Sequence, residues 1–242
     1  MFIKIVVVLL LLIVAISLLS GRGPVISTAK RRSATTLRPL IKRVAIVLLA
    51  IGVVLAVLHL SGCSRSGEAF HATDISGAEF GHQAALTRLT DHQGRRLTSA
   101  DFAGKVVVVF FGYTQCPDIC PTTLVTMREA MHLLGPATDR VQVLFVTVDP
   151  ERDTPAVLAA YVPWFDARFL GLSGDAQTTI ETAKEFHVFY SKVQGATALG
   201  YSIDHSATSY AFDPQGRVRL LIRHGETPEH IASDLRKLLD GK

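Results

Sequence analysis

The chain has 242 residues and a formal net charge of +4, a length that fits one globular domain with additional segments. The charge is unevenly placed: residues 1–62 hold eight Lys/Arg and no Asp/Glu, leaving 17 basic against 21 acidic groups in the rest, about −4. A globular part of that sign has no excess of cations to meet phosphates, which argues against nucleic acid as its partner.

Two apolar stretches come first, at residues 5–19 and 44–60, each slightly short of the ~20 residues that span a bilayer. Between them lie Arg22, Lys30, Arg31, Arg32, Arg38, Lys42 and Arg43. Basic loops of this kind stay cytoplasmic, so the second stretch should lead the chain outward and place the residues after it on the extracytoplasmic face of a membrane. That stretch also ends as a signal peptide does, in small residues. Leu60-Ser61-Gly62-Cys63 resembles a bacterial lipobox, which makes Cys63 the expected lipidation site. Whether residues 1–43 form a further span or precede the true start is open. Residues 1–62 are therefore read as a membrane-targeting region, residues 63–83 as a Ser/Gly/Ala-rich tether, and residues 84–242 as the folded domain.

Within the domain, residues 86–89 and 96–98 flank Asp91-His92-Gln93-Gly94 and predict a small hairpin. Residues 105–111 form an unbroken β-branched and aromatic run, as expected of a strand buried on both faces. A helix should follow over 121–134, stopped by Gly135-Pro136. A second buried strand is expected at 141–148. Thr154-Pro155 suits a helix start, and Pro163 should end or kink that helix. A helix over 175–186, a short strand over 188–193, strands at 206–212 and 217–222 around Asp213-Pro214-Gln215-Gly216, and a closing helix over 227–239 complete the pattern. This order predicts an α/β fold, a thioredoxin-like central mixed sheet flanked by helices with an N-terminal hairpin.

The chemistry concentrates at Cys116-Pro117-Asp118-Ile119-Cys120-Pro121, where a strand gives way to a helix. Pro121 fits best at the first helical position, which makes Cys120 the N-cap and leaves Cys116 in the loop. A loop lets two sulfurs join when oxidised or flank an ion when reduced, and the free N–H groups of a helix start favour thiolate. With Cys63 set aside, these are the domain's only cysteines, so a disulfide, a metal site, or both in turn are open. Two thiolates are soft ligands, and a structural zinc site would ask for four protein ligands, so low-coordinate Cu(I) with one added ligand is the more natural occupant. Of nine histidines, His205 is the best candidate, lying before a strand and after the flexible-looking 195–201 segment. His132 and His187 read as helix-face or helix-end residues, His224 and His230 belong to the last turn and helix, and His71, His82 and His92 to the tether or first hairpin. Asp118 lies between the cysteines as a loop or cap carboxylate that could tune the site, Asp149-Pro150 reads as a turn, and Met127 and Met131 as core.

Residues 114–121, TQCPDICP, resemble the signature of the Sco/SenC family of cytochrome oxidase assembly proteins. Residues 148–155, VDPERDTP, resemble its second block, and Asp204-His205-Ser206 with Tyr210 and Asp213-Pro214-Gln215-Gly216 resemble its third. The resemblance implies a thioredoxin-like fold and copper, as Cu(I) or Cu(II), bound by Cys116, Cys120 and His205. It implies delivery of that copper to the dinuclear centre of cytochrome c oxidase, with the oxidase's copper-bearing subunit and an upstream copper donor as partners. The alternative function is a thiol–disulfide oxidoreductase, a redox pair Cys116 and Cys120 that keeps the oxidase's copper-site cysteines reduced. The CxxxC spacing, in place of CxxC, weakens that alternative. A peroxidase of the peroxiredoxin kind would need Pro and Thr/Ser ahead of its cysteine. The corresponding places hold Val109 and Tyr113 for Cys116, and Tyr113 and Pro117 for Cys120.

Overall fold

The computed structural model describes residues 47–48, 51–52, 69–195 and 200–242. Residues 47, 48, 51 and 52 are helical and exposed. The other expectations for the membrane-targeting region, and Cys63 with its lipidation, lie outside the described residues. No helix among the described residues is long and apolar enough to cross a membrane.

Among the described residues the domain contains nine strands and five α-helices. The strands are β1 (Thr73–Asp74), β2 (Thr90–Asp91), β3 (Val106–Gly112), β4 (Val141–Thr147), β5 (Leu170–Ser173), β6 (Tyr190–Gln194), β7 (Tyr201–His205), β8 (Ser209–Phe212) and β9 (Val218–Ile222). The helices are α1 (Ser99–Phe102), α2 (Ile119–Leu134), α3 (Pro155–Phe165), α4 (Ala176–Glu185) and α5 (Pro228–Leu239), with 3-10 turns at Gln83–Arg88 and Gly135–Arg140. Seven strands form one mixed sheet in the order β1-β9-β8-β3-β4-β5-β2. Strands β3, β4 and β5 run parallel, while β8 pairs antiparallel with both β3 and β9. The expected central mixed sheet flanked by helices is the architecture that forms.

The hydrophobic run of β3 is central for the reason the sequence suggests. All seven residues are buried, with Phe110, Phe111, Phe145, Phe186 and Phe212 packed in and around it. Each such side chain stabilises the fold by roughly 1.5–3 kcal/mol over its exposed state. Helix starts follow the expected capping: Thr154, Asp175 and Thr227 accept N–H bonds from Val157, Thr178 and His230. Pro163 neither ends nor breaks its helix, which continues to Phe165.

Three expectations need correction. The first hairpin is minimal: a turn at Asp91 closed by Asp91 N–H to the Arg95 carbonyl (2.9 Å) and a single Thr90–Arg96 bridge. Its predicted first arm, residues 86–89, lies mostly in the 3-10 turn that buries Leu86, because two leucines three apart suit a helical face as well as a strand. The folded domain also begins ahead of residue 84, inside the stretch read as tether. Strand β1 pairs with β9, and the backbone N–H groups of His71 and Ala72 donate to buried Asp234 (3.1 and 2.8 Å). Finally, His205 is the last residue of a strand, β7, which begins at Tyr201, and does not simply precede one; residues 196–199 of the stretch read as flexible lie outside the described residues. Strands β6 and β7 form a separate antiparallel hairpin that places His205 opposite Tyr190.

Candidate metal centre

Strand β3 ends at Gly112, and the chain turns through Tyr113–Pro117 into α2. Only glycine fits at 112. A Cβ there would stand 2.7 Å from Cys120 Sγ and 2.9 Å from the Phe145 ring. Helix α2 starts earlier than expected: Asp118 is the N-cap, Cys120 sits in the first turn, and Pro121 follows. Proline is tolerated there because first-turn N–H groups have no intrahelical partner. The sulfur of Cys116 takes over part of the capping instead, accepting the Cys120 N–H at 3.4 Å. The Asp118 carboxylate accepts from the Thr122 hydroxyl (3.3 Å), one turn along the helix.

His205 arrives from the end of β7, 85 residues from Cys120. Its Nε2 lies 3.4 Å from Cys120 Sγ. Its Nδ1 lies 3.0 Å from the Ser206 carbonyl, so that nitrogen donates to the backbone and the ring turns Nε2 toward the cysteines. The rings of Tyr113 and Phe110 meet the imidazole edge-on. The donor atoms of Cys116, Cys120 and His205 all lie within 4.8 Å of one another. Ligands held ~2.0–2.3 Å from one ion, as at zinc, cannot be more than about 4.6 Å apart, so small adjustments suffice to close the three around a single ion. Two sulfurs and an imidazole are a soft set that suits copper.

The electrostatics of the pair are asymmetric. Both cysteines are free, Cys116 half-buried and Cys120 fully buried. The Cys120 thiol, then the His205 ring and the backbone N–H groups of Cys120 and Asp118, hold Cys116 far below the ordinary thiol value despite its partial burial. The same contact with Cys116, together with burial, pushes Cys120 up. The pair therefore shares one proton, with Cys116 as thiolate and Cys120 as thiol.

Beneath the cysteine loop lies a buried carboxylate that local sequence reasoning misses. Asp153 accepts from Thr114 N–H (3.0 Å), Thr114 hydroxyl (2.6 Å) and Thr147 hydroxyl (2.6 Å). Burial raises its pKa, against the opposing effect of those bonds. It ties the loop to the end of β4. The only sequence signal for it is its place in the second family-like block.

The other described histidines lie away from the cysteines. His132 is exposed on α2, His187 stacks on Phe80, His71 stacks on His230, His92 accepts Gly171 N–H (2.9 Å), and His82 pairs with Glu185. His224 meets the Thr123 hydroxyl (3.2 Å). Met127 and Met131 are core residues, as expected.

Fold and site define a class: a thioredoxin-like domain that brings together, at the start of a helix, a soft set of two cysteines and one histidine able to hold a metal ion. The family profile described as SCO1/SenC matches residues 76–240, and the chain belongs to that family. It is 38% identical over 151 residues to the mitochondrial SCO2 homologue of Bos taurus, covering 62% of this chain and 57% of that protein, so it spans little more than half of that relative's length. Among solved structures it resembles Bradyrhizobium japonicum ScoI with copper bound (37% identity, TM-score 0.59, 66% of this chain and 99% of that one). It also resembles yeast Sco1 with copper bound (27% identity, TM-score 0.58, 72% and 91%).

Proposed function

We propose that this chain is a membrane-anchored copper chaperone that binds one copper ion through Cys116, Cys120 and His205 and passes it to the dinuclear copper centre of cytochrome c oxidase. The observation that carries the reading is the convergence of the three donors from the cysteine loop, the first turn of α2 and the end of β7. Cys116 needs no deprotonation, and its half-exposure makes it the ligand that an incoming acceptor group can displace. Cys120 and His205 are held from within the fold. Transfer is then a ligand exchange in which acceptor groups replace Cys116 first, and Cys120, which gives up its proton on loading, takes one back as copper leaves.

The anchoring part of the reading rests on the apolar stretches at 5–19 and 44–60, the basic loop between them and the lipobox-like Cys63. The sidedness comes from the same loop. Residues 1–62 are the targeting region in this reading, and the domain works on the extracytoplasmic face. An upstream copper donor and the oxidase's copper-bearing subunit are its partners. The test is copper loading of the full chain in detergent, followed by incubation with the copper-free soluble domain of that subunit. Copper should move to the acceptor from wild type, and no copper should load onto a Cys116→Ala/Cys120→Ala variant.

A second reading is favoured by the thiolate–thiol asymmetry. In it, Cys116 thiolate attacks a disulfide of the acceptor, breaking its S–S bond and forming a mixed disulfide. Cys120 then gives up its proton and attacks Cys116 Sγ, releasing the acceptor's second sulfur as a thiolate. The acceptor gains two electrons and this chain ends with a Cys116–Cys120 disulfide. Reduction of an acceptor disulfide without any copper present would support it.

A further inference from the structure

Among the described residues, the β6–β7 hairpin that delivers His205 pairs within itself and takes no part in the main sheet. Side chains alternate along a strand, so Tyr201, Ile203 and His205 lie on one face of β7. Ile203 is buried and its N–H donates to the Tyr113 hydroxyl (3.2 Å). Tyr201, at the other end of that face, is gripped by Arg152. The Arg152 guanidinium carbon sits 3.6 Å from the centre of the Tyr201 ring, and its Nη1 donates to the Tyr201 carbonyl (2.9 Å). The same Nη1 donates to Gln115 Oε1 (3.0 Å), next to Cys116. Arg152 Nε pairs with fully buried Asp149, whose other oxygen accepts the Tyr201 hydroxyl (2.8 Å). One planar cation thus touches the hairpin, the cysteine loop and the turn after β4.

We infer that Arg152 is a positioning residue for the metal centre: by clamping Tyr201 and Gln115 together it holds the hairpin in the register that brings His205 onto the cysteines. This goes further than the copper reading and rests on it only for the affinity arm of its test. Tyr201 lies four residues from His205, about 13 Å along the strand. A clamp at that distance, with Ile203 fixed between, controls the angle of the strand while touching no ligand. The guanidinium is suited to the task because a flat, forked donor can stack on a ring and bond three acceptors at once, which an ammonium cannot.

The test uses the full chain in detergent with wild type, Arg152→Lys, His205→Ala and the Arg152→Lys/His205→Ala double variant. Lysine keeps a cation beside buried Asp149 and so retains the fold. If Arg152→Lys unfolds nonetheless, Asp149→Asn/Arg152→Met removes both charges and replaces it. Two readouts are taken. In the metal-free protein, amide hydrogen exchange over 201–205 should speed up in Arg152→Lys while exchange over β3 stays unchanged. In an anaerobic Cu(I) competition titration, affinity should fall about 10–100-fold, the range typical of groups that orient ligands. In the His205→Ala background the same substitution should cost no further affinity, since its effect passes through His205. Wild-type exchange in β7 together with wild-type affinity would overturn the inference, as would an equal loss of affinity in both backgrounds. A wild type that binds no copper would defeat the copper reading instead, and the exchange result would then decide on the clamp.

Discussion

Cys120 Sγ and His205 Nε2 lie 3.4 Å apart although 85 residues of chain separate them. One belongs to the first turn of a helix and the other to the end of a hairpin outside the main sheet. Two elements with no backbone pairing between them thus meet at a sulfur and an imidazole.

This proximity sets the ligand predictions. Cys116→Ala, Cys120→Ala and His205→Ala should each abolish tight Cu(I) binding with the fold retained, as read by competition titration and far-UV circular dichroism. His132→Ala, on the exposed face of α2, should leave affinity at the wild-type level.

Gly112→Ala should damage fold and site together. The added methyl group would meet Cys120 Sγ at 2.7 Å and the Phe145 ring at 2.9 Å, and neither a first-turn sulfur nor a core ring can withdraw freely. Overpacking of this kind costs about 1–3 kcal/mol, measurable as a lower midpoint in urea unfolding. Copper affinity should fall in the same variant.

Asp153→Asn replaces one acceptor oxygen by a donor against three donors from Thr114 and Thr147. Leaving such groups unmatched in a buried place costs about 1–3 kcal/mol. The cysteine loop should loosen, with copper affinity about 10-fold lower. Unchanged affinity with lowered stability would separate the loop's order from the site's function.

The cysteine asymmetry has a pH signature. Thiolate is the reactive form, and an ordinary thiol near pKa ~8.5 loses it as pH falls below neutrality. Cys116 is depressed well below that value, so it stays ionised and reactive at mildly acidic pH in the reduced, metal-free protein. Cys120 is raised and stays a thiol through the neutral range. Iodoacetamide at about pH 6, well under the ordinary thiol value, should therefore label Cys116 first, as located by peptide mass mapping. Equal labelling of both, or rates that rise together only in the range of an ordinary thiol, would contradict the shared-proton description.

Local pattern accounts for the legible part of the fold. The apolar runs at 105–111 and 141–148 announce buried strands, and Thr154-Pro155 and Thr227-Pro228 announce helix starts, because strand burial and capping are properties of neighbouring residues. The cysteine pair is legible for the same reason. Strands β1, β5 and β7 are not: β1 has two residues and exists only through pairing with β9, β5 has four, and β7 opposes β6 across a connection without a turn signal. Position alone makes His205 only a weak candidate among nine histidines, and the family-like block is what singles it out. Arg152 and Asp153 are not legible as parts of the site, because their partners lie at Gln115, Tyr201 and Thr114, up to 49 residues away.

The central claim is that Cys116, Cys120 and His205 form one copper site. An anaerobic Cu(I) competition titration of the reduced full chain in detergent, with His205→Ala alongside, tests it most directly. The account predicts tight one-to-one binding by wild type and clearly weaker binding by the variant. Equal affinity in the two proteins would contradict the three-ligand centre, and absence of binding in both would leave the cysteines to thiol–disulfide exchange.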